Sequence, residues 1–359
     1  MSRAARATLD LGALRHNFEH IRKQAPASRV LAVIKANGYG HGLLRVARAL
    51  PGADGFGVAH IEEALALREG GIGQPIVLLQ GFTCAEEITL LARQRIDTVV
   101  HHPEQVRMLE CQPPPQPLGV WLKLDTGMHR LGLAAADADA ARMRLQACPG
   151  VELRAVLSHL ARADEPEHPC SEQQRAEFLR LSEGWGLPRS LANSAALFAA
   201  RRYHFDWVRP GLALYGMSPF AQGHAAELGL RPVMTLRGQV VAVKALRRGE
   251  AVGYGGAWRA SRDTRLAIVA VGYADGYPRH AASGTPVLLG GRPCPLAGRV
   301  SMDMLAVELP PEITPRLGEE AVLWGEGLPV EDIARAAGTI PYELVCKLTP
   351  RVRLEVIDG

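Results

Sequence analysis

Between residues 28 and 216 the chain repeats one pattern: a short apolar run, a loop, then a stretch of helical periodicity. The runs are RVLAVIK (29–35), GFGVAH (55–60), PIVLLQG (75–81), DTVVHH (97–102), LGVWLKLD (118–125), LRAVLSH (153–159), RSLANS (189–194) and FDWVRPGLALYG (205–216). Several are continuous rather than alternating, as in parallel strands covered on both faces. The segments HIEEALALREG, AEEITLLARQ, PEQVRMLE and SEQQRAEFLRLSEG lie between them, and the helix-like DLGALRHNFEHIRK precedes them all. An α/β fold follows. Eight strand candidates alternating with helices fit a (β/α)8 TIM barrel better than an open sheet. The doubly wound sheet stays open as the alternative if the runs at 97–102 and 189–194 are not strands.

Near residue 230 the texture changes. TLRGQVVAVKALR, TRLAIVAVGYADG, TPVLLGGRPCPLAGRVSMDMLAVEL, EEAVLWGEG and VCKLTPRVRLEVI are β-rich with Gly and Pro turns, and only VEDIARAAG reads as a helix. The 359 residues, at roughly 150 per domain, accommodate two units. The expected division is a barrel over 1–228, its first few residues packing with the second domain, and a mostly antiparallel β-domain over 229–359.

Charge and composition exclude several classes. A net charge of +4 without a Lys/Arg block gives no support for nucleic-acid binding. No apolar run is long enough to span a bilayer, and MSRAARATLDLGAL meets charge too early for a signal peptide. A cytoplasmic protein with no membrane partner is expected. Cys84, Cys111, Cys148, Cys170, Cys294 and Cys346 are scattered without a CxxC pair, so they read as thiols and not as disulfides or a zinc site. The pairs His101–His102 and His159–Arg162 lack metal-ligand spacing and are expected to be solvated; no metal is implied.

Only five lysines occur: Lys23, Lys35, Lys123, Lys244 and Lys347. Lys35 closes the first barrel run, at the C-terminal mouth where barrel active sites form. There it is either a desolvated amine fit for covalent chemistry or a lysine snorkelling out of a strand end. Lys123 sits inside WLKLD; if Leu122 and Leu124 face the helices, it points into the barrel and needs a partner, with Asp125 one candidate. An interior ion pair and a functional role remain equal alternatives. Arg130, His159, Asn193, Ser194 and Arg209 likewise fall at or just past strand ends, and Gly211 follows in VRPGLALYG. In the second domain GYGGAW, VGYADGYPR and GRVSMDM place polar residues in Gly-rich turns, and Tyr342 taken alone is a structural tyrosine.

Together AVIKANGYGHG, LKLDTGMHRLG, SHLARAD, ANSAA, VRPGLALYG, VGYGGAW, VGYADGYPR, GRVSMDM and PYELVC run in one order along the whole chain. In that order they resemble the bacterial alanine racemases, pyridoxal 5'-phosphate enzymes of barrel-plus-β-domain fold. The resemblance implies that Lys35 holds the cofactor and acts as one catalytic base. It implies a phosphate site of Tyr39, Tyr342, Ser194, Gly211 and Leu212, with Asn193 nearby, His159 beside the ring and Arg209 facing its nitrogen. Arg130 matches a residue near the cofactor oxygen and the substrate carboxylate. Lys123 matches a position that carries an N6-carboxyl group in many members. Tyr254 matches the second base, and Tyr273 and Met302 the substrate-binding side, all supplied by the partner of a homodimer.

The implied reaction is racemisation of alanine, for peptidoglycan synthesis or alanine catabolism. A broad-specificity amino-acid racemase of the same fold is the alternative. Departures from the commonest family pattern are Gly38 for Ala, Ser301 for Cys, and Ser190 where some relatives carry His.

Overall fold

In the computed structural model, which describes residues 5–358, each of the eight apolar runs contributes a strand to one closed parallel barrel. Residues 1–4 and 359 lie outside the described residues, and with them the start of the segment expected to lack a signal peptide. The first strand, β1 (Arg6–Asp10), stands apart from the barrel. The barrel strands are β2 (Arg29–Val33), β3 (Gly55–Val58), β4 (Ile76–Leu78), β5 (Asp97–Val100), β6 (Leu118–Lys123), β7 (Val151–Leu157), β8 (Arg189–Ser190) and β9 (Trp207–Val208). They follow one another around the barrel in sequence order, and β9 closes it by pairing Arg29↔Trp207 and Val30↔Val208 with β2. The runs at 189–194 and 205–216 shrink to two paired residues each. Beyond β8 the chain turns into the helix Ser194–Ala199, with Asn193 as its cap, and beyond β9 Pro210 has no N–H to extend a ladder.

Alternation along β6 sorts its side chains. Val120, Leu122 and Leu124 join the main core shared with the outer helices. Trp121 faces inward, in a separate cluster with Leu31, Val77, Val99, Ala155, Leu157 and Trp207. Trp121 and Trp207 meet edge-on at 5.1 Å and fill the barrel axis. Lys123 shares the inward face of Trp121, two residues nearer the C-terminal mouth. The barrel is therefore a plugged core with an open top.

Outer helices form where the apolar spacing is helical. Asp10 caps Leu11–Gln24 by accepting from the Ala13 N–H at 2.9 Å. The β-domain is built around β10 (Met234–Leu246), which pairs antiparallel with β1, Thr264–Val269 and Glu320–Trp324. β1 also lies parallel to Arg353–Ile357, so the start of the chain belongs to the second domain's sheet. One reading is corrected here. The end of IPYELVC and the start of VCKLTPRVRLEVI form a helix, Pro341–Cys346, with Pro341 at its first turn; the strand begins only at Arg353.

Candidate active site

At the C-terminal ends of the barrel strands opens a cavity of about 890 Å³. It is lined by Lys35, Tyr39, Lys123, Arg130, His159, Asn193, Ser194, Arg209, Gly211 and Leu212 from the barrel, and by Tyr342 from the β-domain helix. Tyr254, Tyr273 and Met302 are absent from this wall and lie exposed on the β-domain, Tyr254 at 68%. Within one chain the structure gathers the barrel candidates and leaves these three outside.

The backbone after Lys35 is unusual. Ala36, Asn37, Gly38 and Tyr39 all have positive φ, at 54°, 54°, 62° and 52°, forming a left-handed turn. Each non-glycine residue there costs about 1–2 kcal/mol, so neighbours must hold the turn. Glu63 accepts the Asn37 N–H at 3.2 Å, and the Asn37 side chain accepts the Leu43 N–H at 2.9 Å. The reading from sequence missed this turn and Glu63. Its one local signal was the Asn37-Gly38 pair, residue types that tolerate left-handed geometry.

The turn carries Tyr39 back over Gly211. A Cβ built on Gly211 would stand 2.5 Å from the Tyr39 hydroxyl, so that approach requires glycine. The Tyr39 ring lies 5.8 Å from Tyr342 and 4.8 Å from Tyr215. Burial raises the pKa of both Tyr39 and Tyr342, the latter to about 12, and keeps both hydroxyls as donors. Opposite them, Ser194 Oγ accepts the N–H groups of Gly211 and Ala213 at 2.9 and 3.2 Å.

Basic groups crowd one another in the cavity, whose lining also holds Glu62 and Glu87. Burial lowers the pKa of Lys35, helped by Arg130 and opposed by Glu63. Lys123 is lowered to about 8 by burial and by the charges of Arg209, Arg130 and Lys35. Among the described residues no carboxylate forms an ion pair with Lys123. The candidate partner Asp125 instead accepts from the Gly127 and His129 N–H groups and the His129 ring, shaping the loop that leads to Arg130. A carboxylate committed to its own loop is not free to turn inward.

Arg209 is buried, and among the described residues no carboxylate pairs with it either. It donates to Ser190 Oγ at 2.7 Å, to the Ser158 carbonyl at 2.6 Å, to the Leu191 carbonyl at 3.3 Å and to His159 Nδ1 at 3.4 Å. Burial lowers it to about 10, which leaves it cationic near neutrality. Burial and the same ring of cations push His159 well down, so its imidazole is neutral. His101, expected to be solvated, is half-buried and also lines the cavity, held by the Gln80 carbonyl at 2.9 Å.

These features fit an anionic, planar cofactor. Four basic side chains (Lys35, Lys123, Arg130 and Arg209) converge, and among the described residues none forms an ion pair with a carboxylate, although Glu62 and Glu87 also line the cavity. Neutral tyrosine and serine hydroxyls line the same cavity beside a glycine that permits close approach. Lys35 supplies a desolvated amine.

The chain matches the alanine racemase N-terminal domain over residues 9–219 and the alanine racemase C-terminal domain over 233–356. The chain belongs to the alanine racemase family. As a member it is an isomerase with the family's barrel and β-domain. It is 51% identical over 355 residues to the alanine racemase of Vibrio parahaemolyticus, covering 98% of this chain and 99% of that one. The crystal structure of biosynthetic alanine racemase from Pseudomonas aeruginosa superposes with a TM-score of 0.96 at 48% identity, covering 99% and 100% of the two chains. Alanine racemase from Bartonella henselae, solved with covalently bound pyridoxal phosphate, gives 0.90 at 30% identity over 99% and 100%. Among the described residues, no helix is long and apolar enough to cross a membrane.

Proposed function

We propose that this protein interconverts L- and D-alanine, using pyridoxal 5'-phosphate held by Lys35. D-alanine for peptidoglycan, or alanine catabolism, is the physiological use this reaction serves. The observation that carries the reading is the position of Lys35: a desolvated amine at the barrel mouth, in a cavity it shares with Lys123, Arg130 and Arg209. When bound, the cofactor supplies an electron sink for the charge left when the substrate loses its α-proton.

The protein's own groups do the rest. Tyr39, Tyr342, Ser194, Gly211 and Leu212 hold the phosphate, with Asn193 supporting that wall as the helix cap. Neutral His159 would lie beside the cofactor ring and Arg209 would face its nitrogen. A guanidinium does not release a proton near neutrality, so Arg209 would donate a hydrogen bond there without protonating the ring. Arg130 binds the substrate carboxylate.

Racemisation needs a proton removed from one face of the α-carbon and returned on the other, hence one base per face. Lys35 serves the first. Tyr254 serves the second, and its exposure outside the cavity of its own chain supports delivery into the barrel of a second copy. A homodimer with shared sites follows, Tyr273 and Met302 completing the substrate side from the same partner surface. N6-carboxylation of Lys123 would turn an unpaired buried cation into an anion able to pair with Arg130.

A coupled assay for D-alanine formed from L-alanine, run with added pyridoxal 5'-phosphate over a panel of L-amino acids, tests the reading. Alanine is expected to be racemised in preference to larger side chains. Failure of the cofactor-loaded protein to form D-alanine overturns it. Comparable rates across the panel mark a broad-specificity racemase instead.

A further inference from the structure

Behind the Tyr39 wall, between the barrel and the β-domain, lies a second cavity of about 250 Å³. Its walls are mostly apolar, with Met217, Leu230, Leu328 and Val345 among them, all nearly buried. Four polar rings interrupt them, His41, Tyr215, His224 and Trp324, and the argument turns on His41 and Trp324 because their ring nitrogens are buried without partners among the described residues.

The His41 ring is buried, and its Nδ1 lies 2.8 Å from the Tyr39 carbonyl and 3.1 Å from the Gly38 carbonyl. A carbonyl only accepts, so Nδ1 carries the hydrogen and Nε2 is left with a bare lone pair. Burial lowers the His41 pKa to about 4, which keeps the ring neutral at working pH. Among the described residues Nε2 has no hydrogen-bond partner, and neither does the buried indole N–H of Trp324. One ring therefore wants a donor and the other an acceptor. Two unpartnered buried groups on an apolar wall are costly unless something meets them.

The volume and the chemistry define an occupant. A dry cavity of about 150 Å³ admits benzene, so this one takes a substituted single ring. The buried Glu331 carboxylate on the same wall disfavours an anion, and the His224 ring there is already paired with Asp332 at 2.9 Å. A hydroxyl is both donor and acceptor and answers either nitrogen. We propose that this interdomain cavity is a binding site for a small neutral phenol, its hydroxyl donating to His41 Nε2 and its ring packed among the aliphatic side chains. The site is separate from the candidate active site: the stacked rings of Tyr215, 4.6 Å from His41 and 4.8 Å from Tyr39, stand between them.

Calorimetric titration of the cofactor-loaded protein with p-cresol and with p-xylene, its hydroxyl-free isostere, tests the proposal. One p-cresol per chain is expected to bind saturably, undisturbed by excess alanine. His41→Phe is expected to weaken p-cresol about tenfold, the loss of one good hydrogen bond, and to leave p-xylene within about twofold. Leu230→Phe fills the cavity and is expected to abolish binding of both, independently of how the His41 variant folds. No saturable binding of p-cresol, binding competed by alanine, or binding unchanged by Leu230→Phe overturns the proposal. So does an equal effect of His41→Phe on both probes. None of these readings depends on turnover.

Discussion

Ser190 Oγ accepts a 2.7 Å hydrogen bond from Arg209 Nη1 while donating its own proton to the Trp207 carbonyl at 2.9 Å. A hydroxyl thus supports the buried guanidinium at the position where some relatives carry a histidine. Removing it by Ser190→Ala leaves a charged donor one partner short, beside the carbonyls of Ser158 and Leu191 that it retains. The expected loss in unfolding free energy is about 1–3 kcal/mol, read from denaturant titration. A stability equal to wild type would show that Arg209 repartners without Ser190.

Gly211 admits the Tyr39 hydroxyl where a Cβ would lie 2.5 Å away. Gly211→Ala is expected to displace Tyr39 and to weaken pyridoxal 5'-phosphate at least about tenfold, one lost hydrogen bond to a charged group. Circular dichroism should stay native while the affinity, followed by cofactor absorbance, falls. Unchanged affinity contradicts the phosphate role given to this corner.

Lys123 has a pKa near 8 instead of the usual 10.5. At pH 7 about one amine in ten is then uncharged, against about one in three thousand for an ordinary lysine. Only the uncharged amine adds carbon dioxide, so native mass spectrometry in bicarbonate is expected to find the adduct on Lys123; a bare amine contradicts it. The unmodified protein carries a pH signature as well. Because the folded pKa is lowered, the unfolded chain binds more protons between pH 8 and 10.5, and this group's contribution to stability rises across that window. Below pH 8 the buried charge costs on the order of 3 kcal/mol. Lys123→Met should remove that cost and flatten the rise.

Tyr254 is 68% exposed in the single chain and outside its cavity. Tyr254→Phe is expected to lower turnover from L-alanine about a hundredfold or more and to spare the cofactor absorbance. Mixing Lys35→Ala with Tyr254→Phe subunits should restore about a quarter of wild-type activity, since a shared site leaves one intact centre per mixed dimer. No recovery on mixing contradicts a shared site, and lost absorbance in Tyr254→Phe contradicts its role as a base.

The barrel was legible because several of its strands are continuous apolar runs in alternation with helical segments, and alternation around Leu122 was enough to aim Lys123 inward. What stayed hidden depended on tertiary partners. Ser190 was marked by its departure from the family pattern as bearing on Arg209, but its bonds to Arg209 and to the Trp207 carbonyl exist only once the barrel closes. Asp125 looked like a partner for Lys123, but its loop claims both of its oxygens. The helix Ala135–Ala147 buries only Ala138, Ala141 and Leu145, a stripe blurred in the sequence by alanines on its exposed face. The left-handed turn after Lys35 is held from a distance by Glu63, which no local pattern reveals.

The central claim is that Lys35 holds the cofactor and moves the proton. It is tested most directly by turnover of Lys35→Ala in both directions, measured beside borohydride trapping of the cofactor on wild type. The account expects trapping at Lys35 in wild type, none in the variant, and no racemisation of either enantiomer. Near-normal turnover by Lys35→Ala, or trapping at another lysine, would contradict it.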